Sequence, residues 1–190
     1  MDTSADLTGK FLIAMPGMRD PRFEHSVILV CAHTEDGAMG ILVNRPMPEI
    51  GFSDLLAQLG IDAGANAVDL PVRFGGPVEP GRGFVLHHVP EGSTPNETRM
   101  LIGDSIALST TRDILEDYAA GHGPQPAFLA LGYAGWGPGQ LDSEILANGW
   151  LTADRLDDLV FGSDNAGKWR AALGGLGIDP LALSPSAGHA

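Results

Sequence analysis

The stretch LGYAGWGPGQLDSEILANGW, residues 131–150, decides the fold because it joins the end of a strand, a sharp corner and a helix. Five glycines and two tryptophans lie within it. Glycine lets the backbone turn sharply and approach its neighbours, while indole rings bury large apolar surfaces. We therefore predict a structural corner in which glycine serves turning and indole serves core burial. Its members are Gly132, Gly135, Trp136, Gly137 and Trp150, with the earlier pair Gly75 and Gly76.

The helix after this corner is predicted to begin at Pro138-Gly139, with Leu141 and Ile145, four residues apart, facing the core. The same spacing places three polar residues in one stripe: Gln140, Glu144 and Asn148. Asn148-Gly149 also indicates a helix C-cap. The stripe can be a solvated helix face, or it can bind Arg45 or backbone amides, or face a pocket. Periodicity leaves these alternatives open.

The rest of the chain reads as strands first and helices later. Apolar, β-branched runs predict strands at 10–16, 26–34, 38–46, 72–78, 83–89 and 126–135, and a hairpin over Gly103-Asp104 within 100–108. Helices are predicted at 52–60, at 110–120 with Ser109 or Thr110 as cap, in the tail from Thr152 as N-cap, and near 168–173. Without regular βαβ alternation this order indicates an α+β domain. We expect one domain over residues 7–180, with flexible ends at 1–6 and 181–190.

Composition narrows the classes of partner. With 11 Lys+Arg against 24 Asp+Glu among 190 residues, the formal net charge is −13, which opposes binding to nucleic-acid phosphates. A basic patch would need Lys10, Arg19, Arg22 and Arg45 to gather, and ordinary solvated charges are the favoured interpretation. No run approaches a membrane span, and the N-terminus lacks the pattern of a secretory signal. The lone Cys31, in an apolar run, favours a buried thiol and a reducing, cytoplasmic setting.

Several motif matches lack their structural context. Residues 162–168 have the spacing of a phosphate-binding loop, but Trp169 stands where Ser or Thr should follow, so a connection between helices is favoured. Gly103-Asp104-Ser105 imitates a nucleophile elbow, yet an apolar run resumes after it, which favours a hairpin. Of the adjacent pair His87 and His88, one is expected to be a hydrogen-bonded core residue and the other exposed. No metal or cofactor motif is present.

Several strings taken together resemble the YqgE/AlgH family of bacterial proteins. They are GKFLIAMP (9–16), GAMG (37–40), VNRP (43–46), GGPV (75–78) and GYAGWGPGQLDSEI (132–145). The resemblance implies a fold: an α+β domain whose bifurcated β-sheet wraps into a pseudo-barrel with peripheral helices. Some members of that family are described as regulators, so the resemblance also implies a regulatory role as an expectation. It implies no particular reaction and no catalytic residues.

The resemblance extends to Leu86-His87 and to Asn148, so that six polar residues from separate elements match it: Asn44, Arg45, His87, Gln140, Glu144 and Asn148. We expect them to form one network, which either braces the barrel or lines a pocket. One hypothesis is a cytosolic binding or regulatory domain for a small molecule or a protein partner, without chemistry of its own. The other is an enzyme acting on a small anionic substrate, with Glu144 or His87 as general base and Asn44 and Arg45 holding the anion.

Overall fold

The computed structural model describes residues 5–90 and 92–183, with the backbone alone for 182 and 183. The predicted flexible ends, 1–6 and 181–190, therefore lie largely outside the described residues. The strands are β1 Lys10–Ala14, β2 Val27–Thr34, β3 Gly37–Leu42, β4 Val72–Phe74, β5 Val78–His88, β6 Arg99–Ile102, β7 Ile106–Ser109, β8 Ala127–Trp136 and β9 Trp150–Asp154. The α-helices are α1 Phe52–Gln58, α2 Arg112–Ala119, α3 Gln140–Leu146, α4 Asp157–Phe161 and α5 Lys168–Gly175.

The strands form one curled sheet in the order β6-β7-β5-β8-β3-β2-β1-β9, with β4 pairing β8 off this path. The first eight strands agree with the runs that the sequence predicted, including the β6–β7 hairpin, whose loop is 103–105 rather than two residues. Helices α1 and α2 pack on the face of the sheet that carries Val85 and Leu129, and α4 and α5 pack on the face that carries Phe84 and Phe128. This is the α+β, bifurcated pseudo-barrel that the resemblance implied. Within the described ranges no helix has the length and apolar character needed to cross a membrane.

Strand β8 organises the sheet because its two halves have different neighbours. One edge runs antiparallel to β5. On the other edge its first half pairs in parallel with β4, Val72 opposite Leu129, whereas its end pairs antiparallel with β3, Gly40 opposite Ala134. Strand β4 is thus a wedge between β8 and the chain that continues β3. The sheet forks at this wedge.

Glycine permits the close approach of the chains at the fork. A Cβ on Gly75 would lie 2.2 Å from the carbonyl oxygen of Gly132, and one on Gly76 would lie 2.0 Å from the carbonyl carbon of Tyr133. Gly132 itself has φ +76°, in the left-handed region. No side chain fits at these three positions without moving backbone.

The corner after β8 is built mainly by indole rings. Trp136 and Trp150 are buried, and their ring centres lie 6.2 Å apart in an edge-to-face arrangement. At Gly135 and Gly137 a Cβ would meet its nearest neighbours at 3.5 Å and 3.8 Å, which is ordinary contact. Close approach therefore does not require these two glycines. Gly139 is favoured for another reason, because its φ of +71° lies in the left-handed region.

The segment after Trp150 is a strand and not the predicted helix. Strand β9 pairs antiparallel with β1, with Thr152 opposite Leu12 and Asp154 opposite Lys10. The edge of β1 offers unpaired backbone groups, and this pairing outweighs the local capping signal of Thr152. Helical structure resumes at α4, and a short 3-10 turn, Asn165–Gly167, connects it to α5.

Candidate functional site

Asn44 and Arg45 hold the loop that precedes β2. The Asn44 side chain accepts a hydrogen bond from the amide of Val27 at 3.0 Å and donates to the carbonyl of His25 at 2.9 Å. The Arg45 guanidinium donates to the carbonyl of Glu24. Both side chains thereby satisfy backbone groups of the loop, so neither is a free anion anchor.

Gln140 and Glu144 of α3, together with Asn148 just after the helix, complete the corner and the ends of the helix. The Gln140 side chain accepts from the amide of Gly137 at 2.9 Å. One Glu144 oxygen accepts from the Trp150 indole at 3.4 Å, while the other is buried without a partner among the described residues. Asn148 has φ +61° and ends the helix, in agreement with the predicted C-cap.

The six residues do not form one hydrogen-bonded network. Across the described chain no hydrogen bond joins two of them. His87 pairs with Ala127 at the start of β8, whereas α3 follows Trp136 at its end. Nine residues of strand separate these positions, about 30 Å at ~3.3 Å per residue. An active site that combines His87 with Glu144 therefore has no support.

His87 instead forms a close pair with Ser109. Its Nδ1 lies 3.1 Å from the carbonyl oxygen of His88, and its Nε2 lies 2.9 Å from the Ser109 hydroxyl. A carbonyl oxygen only accepts, so Nδ1 carries the proton and Nε2 accepts from the hydroxyl. Burial, opposed by the His88 carbonyl, lowers the pKa of His87, and the nearby charge of Arg99 lowers it further. The imidazole is therefore neutral at pH 7.

The predicted division of the histidine pair is confirmed for His87, which is the buried, hydrogen-bonded residue, whereas His88 is half-buried and not exposed as predicted. Ser109 was missed as a site residue because the sequence suggested it as a helix cap. The N-cap of α2 is Thr111, and Ser109 is the last residue of β7. The available signal was strand pairing: Ser109 lies opposite Val85, so it shares a face with His87, two residues along.

Arg99 lies on the other side of Ser109. The two residues are direct partners in the β6–β7 pair, so their side chains share one face of the sheet. The Arg99 guanidinium donates to the carbonyl of Thr94 at 2.7 Å, and its buried Nε has no partner among the described residues. Ser109 thus has a hydrogen-bonded imidazole on one neighbouring strand and a cation on the other.

A cavity of about 410 Å³ opens beside Ser109, between α1, α2 and the outer face of β5 and β8. Its walls are mostly apolar: Phe52, Leu55, Leu56, Val85, Leu115, Leu129 and Leu131. Polar groups gather at one side, where Ser109, Thr110, Arg82 and Arg112 line it. A concave, largely apolar cavity with a few convergent polar groups is typical of a small-molecule site, and this volume is in the usual range.

A second, larger groove follows the inner, concave face of the sheet. Its volume is about 910 Å³, and its floor includes Met39, Phe84, Leu108 and Tyr133. It is open to solvent and carries charges of both signs, such as Asp36, Glu97 and Arg82. Arg82 and Thr110 border both cavities, so the two meet at one edge of the sheet.

Comparison with known proteins assigns the chain to a family. The family model described as AlgH-like matches residues 11–181. The chain belongs to the AlgH-like family. A UPF0301 protein of Paracoccus denitrificans is 76% identical over 190 residues, covering 100% of both chains. A UPF0301 protein of Ruegeria pomeroyi is 58% identical over 186 residues, covering 97% of this chain and 100% of its own.

Two solved structures share the AlgH-like fold. The solution structure of the AlgH protein from Pseudomonas aeruginosa superposes with a TM-score of 0.77 at 39% identity, covering 100% of both chains. The crystal structure of a protein from Corynebacterium diphtheriae has a TM-score of 0.70 at 19% identity, covering 91% of this chain and 88% of its own. At that identity the second comparison shows the fold alone.

Two motif predictions for this AlgH-like chain are confirmed. The segment 162–168 connects α4 to α5, and the buried Lys168 ammonium donates to the carbonyls of Val43 and Val160, so it is not placed for a phosphate. Cys31 is a buried free thiol. Burial raises its pKa to about 12, so the reactive thiolate is suppressed at neutral pH.

Ser105, which imitates a nucleophile elbow, belongs to a structural cluster of the AlgH-like domain. Its hydroxyl donates to the Asp157 carboxylate at 2.6 Å and accepts from Arg155 at 2.8 Å. Arg155 also pairs with Asp104 at 3.0 Å. These contacts tie the β6–β7 turn to the start of α4. Among the described residues, no group of three or more His, Cys, Asp or Glu side chains is arranged to hold a metal.

Proposed function

We propose that this AlgH-like chain is a cytosolic binding domain for a small molecule with an apolar body and an anionic group. The ligand would occupy the cavity between α1, α2 and the outer face of the sheet, which we call the helix pocket. The observation that carries the proposal is the composition of its lining: leucine, valine and phenylalanine walls with arginine and hydroxyl groups at one side.

The volume sets the size of the ligand. The cavity of about 410 Å³ has room for roughly a dozen non-hydrogen atoms, if each takes the volume of a water molecule, ~30 Å³. A medium-chain carboxylate such as decanoate is of this size. Its methylene groups would gain about 0.8 kcal/mol each on leaving water, less the cost of ordering the chain.

The two arginines that line the helix pocket differ in how many contacts they make with the protein. Arg112 is committed, because its guanidinium pairs with Glu116 at 2.9 Å and donates to the carbonyl of Leu59 at 2.6 Å. It fixes α2 against the end of α1. Arg82 is more available: its partner Glu79 is 3.5 Å away and both side chains are more than half exposed. Arg82 is therefore the proposed anchor for the anionic group.

The concave groove is a weaker candidate for such a ligand. It is larger and open to water, so it would bury less of a small molecule, and its mixed charges would not select an anion. A regulatory role, if the ligand controls one, would act through a protein partner, because a net charge of −13 opposes contact with nucleic acid. A reducing cytosolic setting is supported by the single, buried Cys31.

Thermal unfolding with and without decanoate tests the proposal, since a ligand that binds the native state alone raises the Tm. The test variant is Leu115→Trp, which puts an indole into the cavity that Leu115 lines. The matched control is Leu146→Trp on α3, where the leucine is 84% exposed. We expect saturable stabilisation of the wild type and of Leu146→Trp, and none of Leu115→Trp.

Two comparisons sharpen the result. Decanol, which lacks the anionic group, and the variant Arg82→Ala should each bind at least ~10-fold more weakly, as expected for loss of a charge-assisted hydrogen bond. Absence of saturable binding by the wild type, or equal binding by Leu115→Trp, would show that the helix pocket is not the site.

A further inference from the structure

Ser109 lies at the wall of the helix pocket, and the buried His87 behind it is placed as a base beside a nucleophile. We infer that Ser109 is an acyl-accepting nucleophile and His87 its general base, and that the substrate is an ester of an apolar acid seated in the helix pocket. This inference rests on the proposed function, because the same apolar walls would hold the acyl chain. It adds a reaction to what is otherwise a binding site.

The first support is the chain of hydrogen bonds. A serine hydroxyl is a weak nucleophile unless an adjacent base takes its proton, and the base must itself be oriented by a third group. Here the Ser109 hydroxyl donates to His87 Nε2 at 2.9 Å, and the His88 carbonyl accepts from Nδ1 at 3.1 Å. The carbonyl has the orienting role that a carboxylate has in the Ser-His-Asp arrangement.

The second support is the protonation state. A base must be unprotonated to accept the hydroxyl proton. Burial lowers the pKa of His87, and the positive charge of Arg99 lowers it further. The imidazole is therefore ready to accept a proton at neutral pH.

The third support is where Ser109 lies. Ser109 lines the helix pocket, whereas the other serine with an imitation motif, Ser105, hydrogen-bonds a carboxylate and an arginine instead of an imidazole. Thr111 at the N-cap of α2, which also lines the pocket, makes no side-chain cap. The first amides of a helix lack intrahelical acceptors, so those of α2 are the candidate donors for the negative oxygen that would develop on the substrate.

The reaction balances without an oxidant, a reductant or a metal. As the Ser109 Oγ attacks the ester carbonyl carbon, its proton passes to His87 Nε2. The bond from the carbonyl carbon to the alcohol oxygen breaks, and the leaving alcohol takes the proton from His87. A water molecule then attacks the carbonyl carbon of the acyl-serine while His87 Nε2 takes its proton. The bond from the carbonyl carbon to Ser109 Oγ breaks, and His87 returns the proton to Oγ. The products are the carboxylic acid and the free hydroxyl of Ser109.

The test is covalent labelling of the full chain by a fluorophosphonate with a decyl tail, which reacts with serines activated by a base. Intact mass and peptide mapping report the modified residue. We expect one adduct on the wild type, at Ser109, none on Ser109→Ala, and labelling at least ~100-fold slower for His87→Gln. Ser105→Ala is the matched control and should label like the wild type.

Mapping on the wild type does not depend on whether the buried His87 variant folds. No adduct on the wild type, an adduct elsewhere, or unchanged labelling of Ser109→Ala would overturn the inference. Decanoate should protect Ser109 of the wild type from labelling. If decanoate binds but Ser109 is not labelled, the inference that Ser109 is a nucleophile is wrong and the binding proposal stands. If Ser109 is labelled but decanoate does not bind, the binding proposal is wrong and the nucleophile stands.

Discussion

The guanidinium of Arg73 lies 4.1 Å from the centre of the Phe128 ring, inside the fork of the sheet. It donates to the carbonyl of Val43, which continues β3, and to the carbonyl of Val160 in α4, at 3.1 and 2.6 Å. Arg73 is only 1% exposed. One side chain of the wedge strand β4 thus joins three elements: β3, β8 and the C-terminal end of α4. A cation at a helix C-terminus is also favoured by the helix dipole.

Removal of Arg73 should open the fork. Arg73→Ala leaves buried carbonyls without a donor and removes the contact with Phe128, so we expect a loss of about 3 kcal/mol or more in the free energy of unfolding. Urea unfolding followed by tryptophan fluorescence measures it. The control Arg170→Ala, at an exposed position of α5, should stay within ~0.5 kcal/mol of the wild type. Equal stabilities for both variants would mean that the fork closes without Arg73.

Lys168 should make stability depend on pH. Burial lowers its pKa from 10.5 to about 7, with help from the charge of Arg73. Above pH 7 the folded state has lost this proton while the unfolded state keeps it up to 10.5, so the free energy of unfolding rises with pH. The window from pH 7 to 8 isolates the effect, because burial lowers the pKa of His87 below its ordinary 6.5 and because the Cys31 thiol of the unfolded chain, with an ordinary pKa of 9.0, largely keeps its proton there.

The measurement is urea unfolding at pH 7.0, 7.5 and 8.0. The slope for the wild type is positive and at most about 1.4 kcal/mol per pH unit, the limit for one proton. Lys168→Met, which keeps an unbranched chain without the titrating group, should be flat across this window. A wild-type slope of zero, or the same slope in both proteins, would contradict the account.

A substitution at Gly75 tests the close approach of the chains at the fork. The φ of Gly75 is not in the left-handed region, so an alanine there causes no backbone strain of its own. A Cβ there would meet the carbonyl oxygen of Gly132 at 2.2 Å, so Gly75→Ala must separate β4 from β8 and should cost several kcal/mol. Gly81→Ala in β5, where no atom lies within 4 Å of the added Cβ, is the matched control and should be near neutral. Chemical unfolding measures the free energy of unfolding of both variants. A Gly75→Ala variant as stable as Gly81→Ala would contradict the close approach of β4 and β8.

Removing the salt bridges of Arg155 should cost more stability than removing the salt bridge of Lys10. Arg155, whose side chain is 15% exposed, contacts Asp104, Ser105 and Asp157, and Arg155→Ala should cost about 1–3 kcal/mol. Lys10 forms one exposed pair with Asp154, so Lys10→Ala should cost less than ~1 kcal/mol. Unfolding by urea compares them, and a larger loss for Lys10→Ala would show that the cluster around Arg155 does not hold the β6–β7 turn.

Local patterns predicted the elements whose partners are close in sequence or whose apolar runs are long. The corner and helix at 132–148 agree with prediction because glycine, indole and helical spacing act within a few residues. The prediction at Thr152 was wrong, because Thr152 pairs with the edge of β1, about 140 residues earlier in the chain. A capping signal worth about 1 kcal/mol cannot compete with five residues of strand pairing.

The candidate site was harder to predict because it depends on the pairing of distant strands. His87 was singled out, but its partner Ser109 is found only once β5 and β7 are placed side by side. Arg73 was not noticed, since a charged residue in an apolar strand gives no local sign that the fold will bury it among carbonyl groups. Asn44 and Arg45, which were expected to join a network that braces the barrel or lines a pocket, bind backbone groups of the loop before β2.

The most direct test of the helix pocket is a decanoate titration followed by methyl NMR of the full chain. Leu56, Leu115 and Leu129 line the helix pocket, whereas Met39 and Leu108 line the concave groove. We predict saturable shifts of the first three methyl groups, with Met39 unmoved. Shifts confined to Met39 and Leu108 would contradict the account by assigning the ligand to the other face of the sheet.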